Sequence, residues 1–260
     1  MRAIRALAVM GVLCSACFTN DAPTGPEWQG PVPVTKAEDP RPLRVLFIGN
    51  SLTFYNDLPT RTTEIAARDP SLRTMEIEAV VKGGASLQSH WNGATARGRI
   101  AAGGWDYVVL QEGTDLYYSA PDSLVRVVGS FDALIRQTGA RTVLYMTWPL
   151  AGTIPQDSIT RVVNRVSDQL HVRVAPAGAA WQQALAANAS LPLYLPDGNH
   201  PTPVGTYLAA CTMFATLYRH SPQGLAGLAA VGDTNTVSLD SATARLLQQT
   251  AWTTTTPYLH

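Results

Sequence analysis

With 260 residues, 46% of them hydrophobic and 15% charged, the chain can fill one substantial core and is not of disordered composition. Its 19 basic and 19 acidic residues cancel, and the basic ones are scattered, which excludes the concentrated positive surface that nucleic-acid binding requires. Beyond Cys17 the only cysteine is Cys211, so neither an internal disulfide framework nor a cysteine-based metal site is available.

The first segment, MRAIRALAVMGVLCSAC, sets Arg2 and Arg5 before an apolar stretch, with small residues at Ser15 and Ala16. That stretch is shorter than the roughly 20 residues needed to span a bilayer, so residues 1–17 read as an export signal. CSAC resembles a bacterial lipobox, with Cys14 where such motifs usually carry Leu. The match implies attachment to an outer or plasma membrane through a lipidated Cys17, with soluble periplasmic or extracellular export as the alternative. Residues 18–42 carry five prolines from Pro23 to Pro40, with Gly25 and Gly30 between them. Such a run prevents regular structure and is expected to be a tether.

LRVLFIG, 43–49, is the first apolar strand, and a helix is expected over 59–68, closed by Pro70. MEIEAVV, 75–81, alternates better than a central strand would and is expected near the sheet edge. A helix over 87–102 follows, despite Gly93 and Gly98, then a buried strand at 107–112. Residues 121–138 repeat apolar side chains at helical spacing, with Gly139 as the stop. Further strands are expected at 141–148 and 171–177. Further helices are expected at 155–171, 178–188 and 202–218, with another near 239–252. Strands separated by helices of 10 to 18 residues make a parallel sheet coated on both faces. The fold class is therefore α/β, a three-layer α/β/α sandwich over 43–220. Residues 221–260 form a C-terminal extension that either packs on it or stays loose.

Ligands of open parallel sheets bind outside the carboxyl ends of the strands. The strand ends here carry Asn50 and Ser51, then Gly83 and Gly84, then Gln111 and Glu112, then Trp148, and the sequence DGNH places Asp197 and His200 before the last helix of the sheet domain. A serine hydroxyl needs a general base, usually a histidine whose tautomer a carboxylate fixes. The three-residue spacing of Asp197 and His200 lets the carboxylate reach the near ring nitrogen while the far one crosses the cleft. The Ser51 N–H, the Gly84 N–H and the Gln111 side-chain amide are candidate donors for a developing oxyanion. Asn50, His90, Glu112 and Trp148 are candidates for substrate contact; for His90 and Trp148 plain packing is the competing reading. Asn56 and Asp57 are expected to stabilise the first loop through local backbone bonds. No two histidines have zinc-like spacing, so no metal or cofactor is implied.

These blocks resemble the SGNH (GDSL-like) hydrolase superfamily, and within it a bacterial branch whose first block reads GNS followed by an Asn–Asp pair, here GNSLTFYNDLP. The resemblance covers about residues 43–215. It implies a flavodoxin-like fold of roughly five parallel strands. It makes Ser51 the nucleophile, His200 the base, Asp197 its orienting acid and Gly84 an oxyanion donor, with Gly83 the nearest competitor. Many relatives carry Asp where this chain has Asn50. Their third block holds Gly-x-Asn-Asp where this chain has LQEGTD, so Gln111 is taken as the substitute for the missing Asn donor. The function implied is a serine ester hydrolase, acting on short acyl esters such as those of an acetylated glycan. A lipase- or thioesterase-like enzyme for longer acyl chains, acyl transfer to a sugar, and a noncatalytic glycan-binding module are the alternatives.

Overall fold

The computed structural model describes residues 32–225 and 239–259. The export signal, Cys17 and tether residues 18–31 lie outside the described residues.

Residues 32–42, expected within the tether, instead lie against the domain. Prolines deny this strip a regular ladder, but its carbonyls still need donors. Arg73, fully buried, supplies them: Nε donates to Arg41 O at 2.7 Å, Nη1 to Pro33 O at 2.8 Å and Nη2 to Pro42 O at 2.8 Å. Asp106 Oδ2, 3.0 Å from Nη2, balances the charge.

The chain then alternates strands and helices: β1 (Leu43–Gly49), α1 (Ser51–Phe54), α2 (Leu58–Ala66), β2 (Met75–Val81), α3 (Leu87–Asn92), α4 (Ala94–Ala101), β3 (Tyr107–Gln111), α5 (Leu116–Ser119), α6 (Pro121–Gln137) and β4 (Arg141–Tyr145). After these come α7 (Gln156–Leu170), β5 (Arg173–Ala175), α8 (Ala177–Ala187), α9 (Pro203–Tyr218) and α10 (Ser241–Thr255). The five strands pair in parallel in the order β2-β1-β3-β4-β5. β2 is indeed an edge strand, as its alternation implied. The helix expected over 87–102 is two helices, because Gly93 adopts an extended conformation between α3 and α4.

Strand alternation sorts the core into two halves. Val45, Phe47, Tyr107, Val109, Val143 and Tyr145 face α2, α8, α9 and α10. Leu46, Ile48, Val108, Leu110 and Leu144 face α3, α4, α6 and α7. This is the three-layer α/β/α sandwich. α9 is apolar around its whole circumference and buried from Val204 to Tyr218. A helix of that kind needs cover on every side, and α10 supplies one side through Leu247 and Ala251. Gln248 Nε2 donates to the Tyr207 hydroxyl at 2.7 Å across the same contact. The core therefore continues past residue 220. Among the described residues, no helix is long and apolar enough to cross a membrane.

The strand order fixes where a cleft opens. From β1 the chain moves one way to β2, and then crosses back to β3 on β1's other side. The two crossover connections diverge there, leaving a crevice at the carboxyl ends of β1 and β3.

Candidate active site

Ser51 is the first residue of α1, directly after β1. Asn50 caps that helix in an extended conformation, its Oδ1 accepting the Leu52 N–H at 3.1 Å. Gly49 is required for space. A Cβ there would lie 2.5 Å from both Gln111 Oε1 and Thr53 Oγ1. The glycine lets the turn drop onto the third strand, and Ser51 projects above it.

His200 arrives from the far end of the chain. Asp197 Oδ1 accepts the N–H groups of Asn199 at 2.9 Å and of His200 at 3.0 Å, closing a tight turn. Asp197 Oδ2 then meets His200 Nδ1 at 2.6 Å. A carboxylate oxygen only accepts, so the proton sits on Nδ1 and Nε2 keeps its lone pair. Nε2 lies 3.0 Å from Ser51 Oγ, within reach to accept the hydroxyl proton. The imidazole bond, followed by the two backbone donors, holds the Asp197 carboxyl down at about 2. It therefore stays ionised wherever the imidazole needs it.

Three contacts that the sequence did not reveal fix this geometry. The Tyr55 ring stacks on the His200 ring with centroids 4.2 Å apart and planes 20° from parallel. Asn56, at φ +49°, sends Nδ2 to Pro201 O at 3.0 Å and to Thr206 Oγ1 at 2.8 Å. Its side-chain bonds are thus not the local ones expected from sequence but staple the serine loop to Pro201, next to the base, and to the first turn of α9. Trp148 Nε1 donates to Asn199 O at 3.0 Å, one residue before the base. The signal for Asn56 was the Asn–Asp pair of the first block; Tyr55 left none.

Several expected contacts are corrected. Gln111 is completely buried and does not reach the cleft. It shares its side of β3 with Tyr107 and Val109, so the side chain runs under the Asn50 turn. Oε1 accepts from Asn50 N at 2.8 Å and from Thr53 Oγ1 at 2.9 Å, and Nε2 donates to Glu112 O at 2.6 Å. It braces the serine turn from below and presents no donor to the cavity. Trp148 is buried and stacked on Trp181 with centroids 3.8 Å apart, so neither face is free for a sugar. His90 is buried with Nε2 donating to Gly49 O at 2.8 Å, bracing the end of β1. Glu112 is buried too, its Oε1 accepting from Leu87 N and Gly113 N. Cys211 is buried in α9, and desolvation pushes its thiol up to about 12, so it is inert.

Asn50, Ser51 and Gly84 do share one cavity of about 270 Å³, which Gly113, Thr114 and Asp115 also line. Leu52, Leu150 and Asn199 complete it. Gly84 sits at φ +67°, where a side chain would be strained. Its N–H and that of Ser51 meet no acceptor among the described residues. Both are free to bind an anionic oxygen. Two large apolar side chains stay exposed, Leu150 at 40% and Phe54, three residues after Ser51, at 42%.

No family model matches the chain, and no curated protein matches it. Solved structures do. A protein from Slackia heliotrinireducens assigned to the SGNH hydrolases is 28% identical, covering 68% of this chain and 100% of its own, with a TM-score of 0.60. A DUF4886 family protein from Bacteroides uniformis is 19% identical over 81% of this chain and 93% of its own, at a TM-score of 0.62. A catalytic mutant of an acetylxylan esterase from Geobacillus stearothermophilus is 15% identical over 68% of this chain and 94% of its own, at 0.54. The fold is that of the GDSL/SGNH-like hydrolase superfamily.

Proposed function

We propose that the chain is a serine ester hydrolase of the superfamily branch with a GNS first block and a QE third block. The observation that carries this is the unbroken relay from Asp197 Oδ2 through His200 to Ser51 Oγ, with steps of 2.6 and 3.0 Å. Ser51 Oγ attacks the ester carbonyl carbon as its proton passes to His200 Nε2. The carbonyl electrons move onto oxygen, where the N–H groups of Ser51 and Gly84 receive the charge. Asn50, whose Nδ2 spends one hydrogen on Ala85 O at 3.1 Å, has a second to offer in place of the expected Gln111 donor. Collapse expels the alcohol, protonated by His200. Water, deprotonated by the same nitrogen, then releases the acid.

The reading extends to short acyl esters of carbohydrates. A cavity of about 270 Å³, small and with Asn50, Thr114, Asp115 and Asn199 among its lining residues, suits an acetyl group beside a hydroxyl-rich alcohol. The longer-acyl alternative draws on Leu150, an exposed apolar residue of the cavity lining. Rates on aryl esters from acetate to decanoate should fall with chain length, and a preference for chains above eight carbons would remove the acetyl proposal. A fluorophosphonate probe should attach to Ser51, identified by peptide mass spectrometry. No adduct together with glycan binding would leave a noncatalytic module instead.

Asn56→Ala provides a test of the staple. Losing the bonds to Pro201 O, beside the base, and to Thr206 Oγ1 of α9 should lower kcat by about 10- to 100-fold and cost about 1–3 kcal/mol of stability. Urea melts and steady-state kinetics on one preparation separate the two effects. An unchanged kcat would show that the loop holds its place without Asn56.

A further inference from the structure

Glu112 joins the two walls of the cleft from beneath and takes no part in the proton relay. It stands one residue beyond β3 and is 2% exposed. A single oxygen, Oε1, accepts the Gly113 N–H at 2.7 Å and the Leu87 N–H at 3.1 Å. Leu87 opens α3 directly after the turn carrying Gly84, with Ser86 as its cap. Gly113 begins the wall that continues through Thr114 and Asp115. One carboxylate oxygen therefore ties the segment that follows Gly84 to the segment that carries Thr114 and Asp115.

We propose that Glu112 is a positioning residue: its ionised carboxylate clamps the Gly84 turn to the 113–115 loop, and its protonation slackens that clamp and lowers turnover on the acid side. The inference rests on the ester-hydrolase reading above and adds to it a regulatory group outside the Ser–His–Asp relay. An ionised acceptor binds N–H groups about twice as strongly as a neutral one, so the two protonation states hold the walls differently.

The surroundings favour such a switch near neutrality. Burial raises the Glu112 carboxyl to about 7, against the pull of the two N–H bonds. Asp115, on the wall it holds, pushes it further up. Tyr117 of α5, whose hydroxyl donates to Tyr145 O at 2.9 Å, remains neutral, held upward by its own burial and then by Glu112. On the α3 side stands His90, its Nε2 engaged with Gly49 O. Among the described residues, no lysine or arginine pairs with Glu112 to hold it ionised.

The test compares pH–rate profiles of the wild type, Glu112→Gln and Glu112→Ala on a soluble aryl acetate. The base must be unprotonated to act, which contributes one ionisation to the acid limb; Glu112 adds a second. The neutral form keeps a reduced turnover, so the wild-type limb should fall more steeply than a slope of 1 over about one pH unit and then return to it, while the Glu112→Gln limb keeps a slope of 1 throughout. The glutamine oxygen can still accept both N–H groups, so Glu112→Gln should keep kcat within about tenfold at alkaline pH, whereas Glu112→Ala should lose about 10²- to 10³-fold in kcat with KM little changed. Superimposable limbs for wild type and Glu112→Gln, or equal kcat for Gln and Ala at alkaline pH, would overturn the clamp. If Glu112→Ala does not fold, the Glu112→Gln limb decides alone. Normal wild-type turnover with superimposable limbs sinks only this inference, whereas a wild type that turns over no ester and takes no probe at Ser51 sinks the hydrolase reading with it.

Discussion

Replacing Ser51 by Ala should cut ester turnover by about 10⁴- to 10⁶-fold while moving stability by less than about 1 kcal/mol. The size follows from what the oxygen does. No other hydroxyl stands at 3.0 Å from His200 Nε2 among the described residues, and without it no acyl-enzyme can form. The modest structural effect follows because Asn50, not Ser51, caps α1 and ties the turn to Ala85 and Gln111. His200→Ala should lose a similar amount, because a hydroxyl without its base is a weak nucleophile. The double variant should be scarcely worse than either single one, since the two groups act as a unit. Steady-state kinetics and thermal melts on the three variants test this together. Ser51→Ala turning over within about tenfold of the wild type would end the mechanism, and additive losses would mean that the two residues work separately.

The parts of this site that were legible in the sequence are those set by short-range geometry. Asp197 and His200 meet because three residues of a Gly-containing turn bring a carboxylate onto its neighbour's ring. Ser51 stands out because an apolar strand ends abruptly in small polar residues. Side chains at other strand ends were not legible, and Gln111 shows why. A period of two says that Gln111 and Glu112 diverge, but not whether either faces the ligand, since that depends on what packs around them. Here Gly49 opens room under the serine turn, and Gln111 fills it. His90 and Trp148 are amphipathic residues whose polar ends bond backbone carbonyls, and composition cannot separate that from a ligand contact. The strip at 32–42 teaches the same lesson about backbone. Prolines forbid a ladder without forbidding packing, and Arg73 collects the carbonyls from 31 to 40 residues away.

Trp148→Ala should destabilise the domain by about 3–5 kcal/mol, lowering Tm by on the order of ten degrees. The indole is 1% exposed and lies 16° from parallel to Trp181, which in turn meets Tyr194 edge-on at 5.0 Å between centroids. Tyr194 closes the circuit by donating its hydroxyl to Pro149 O at 2.9 Å, beside Trp148 itself. Removing the first ring leaves a cavity under the segment that carries Asp197 and His200, and the second ring loses its partner. Trp148→Phe separates packing from positioning. It keeps a ring on Trp181 but drops the N–H bond to Asn199 O, so stability should fall by only about 1–2 kcal/mol. Turnover should fall further than that change implies, by about tenfold, because the carbonyl released belongs to the residue just before the base. Thermal melts set the first quantity and kcat the second. A Trp148→Ala protein melting within about two degrees of the wild type would mean that the histidine loop is held by the Asn56 staple and the Asp197 turn without the stack beneath it.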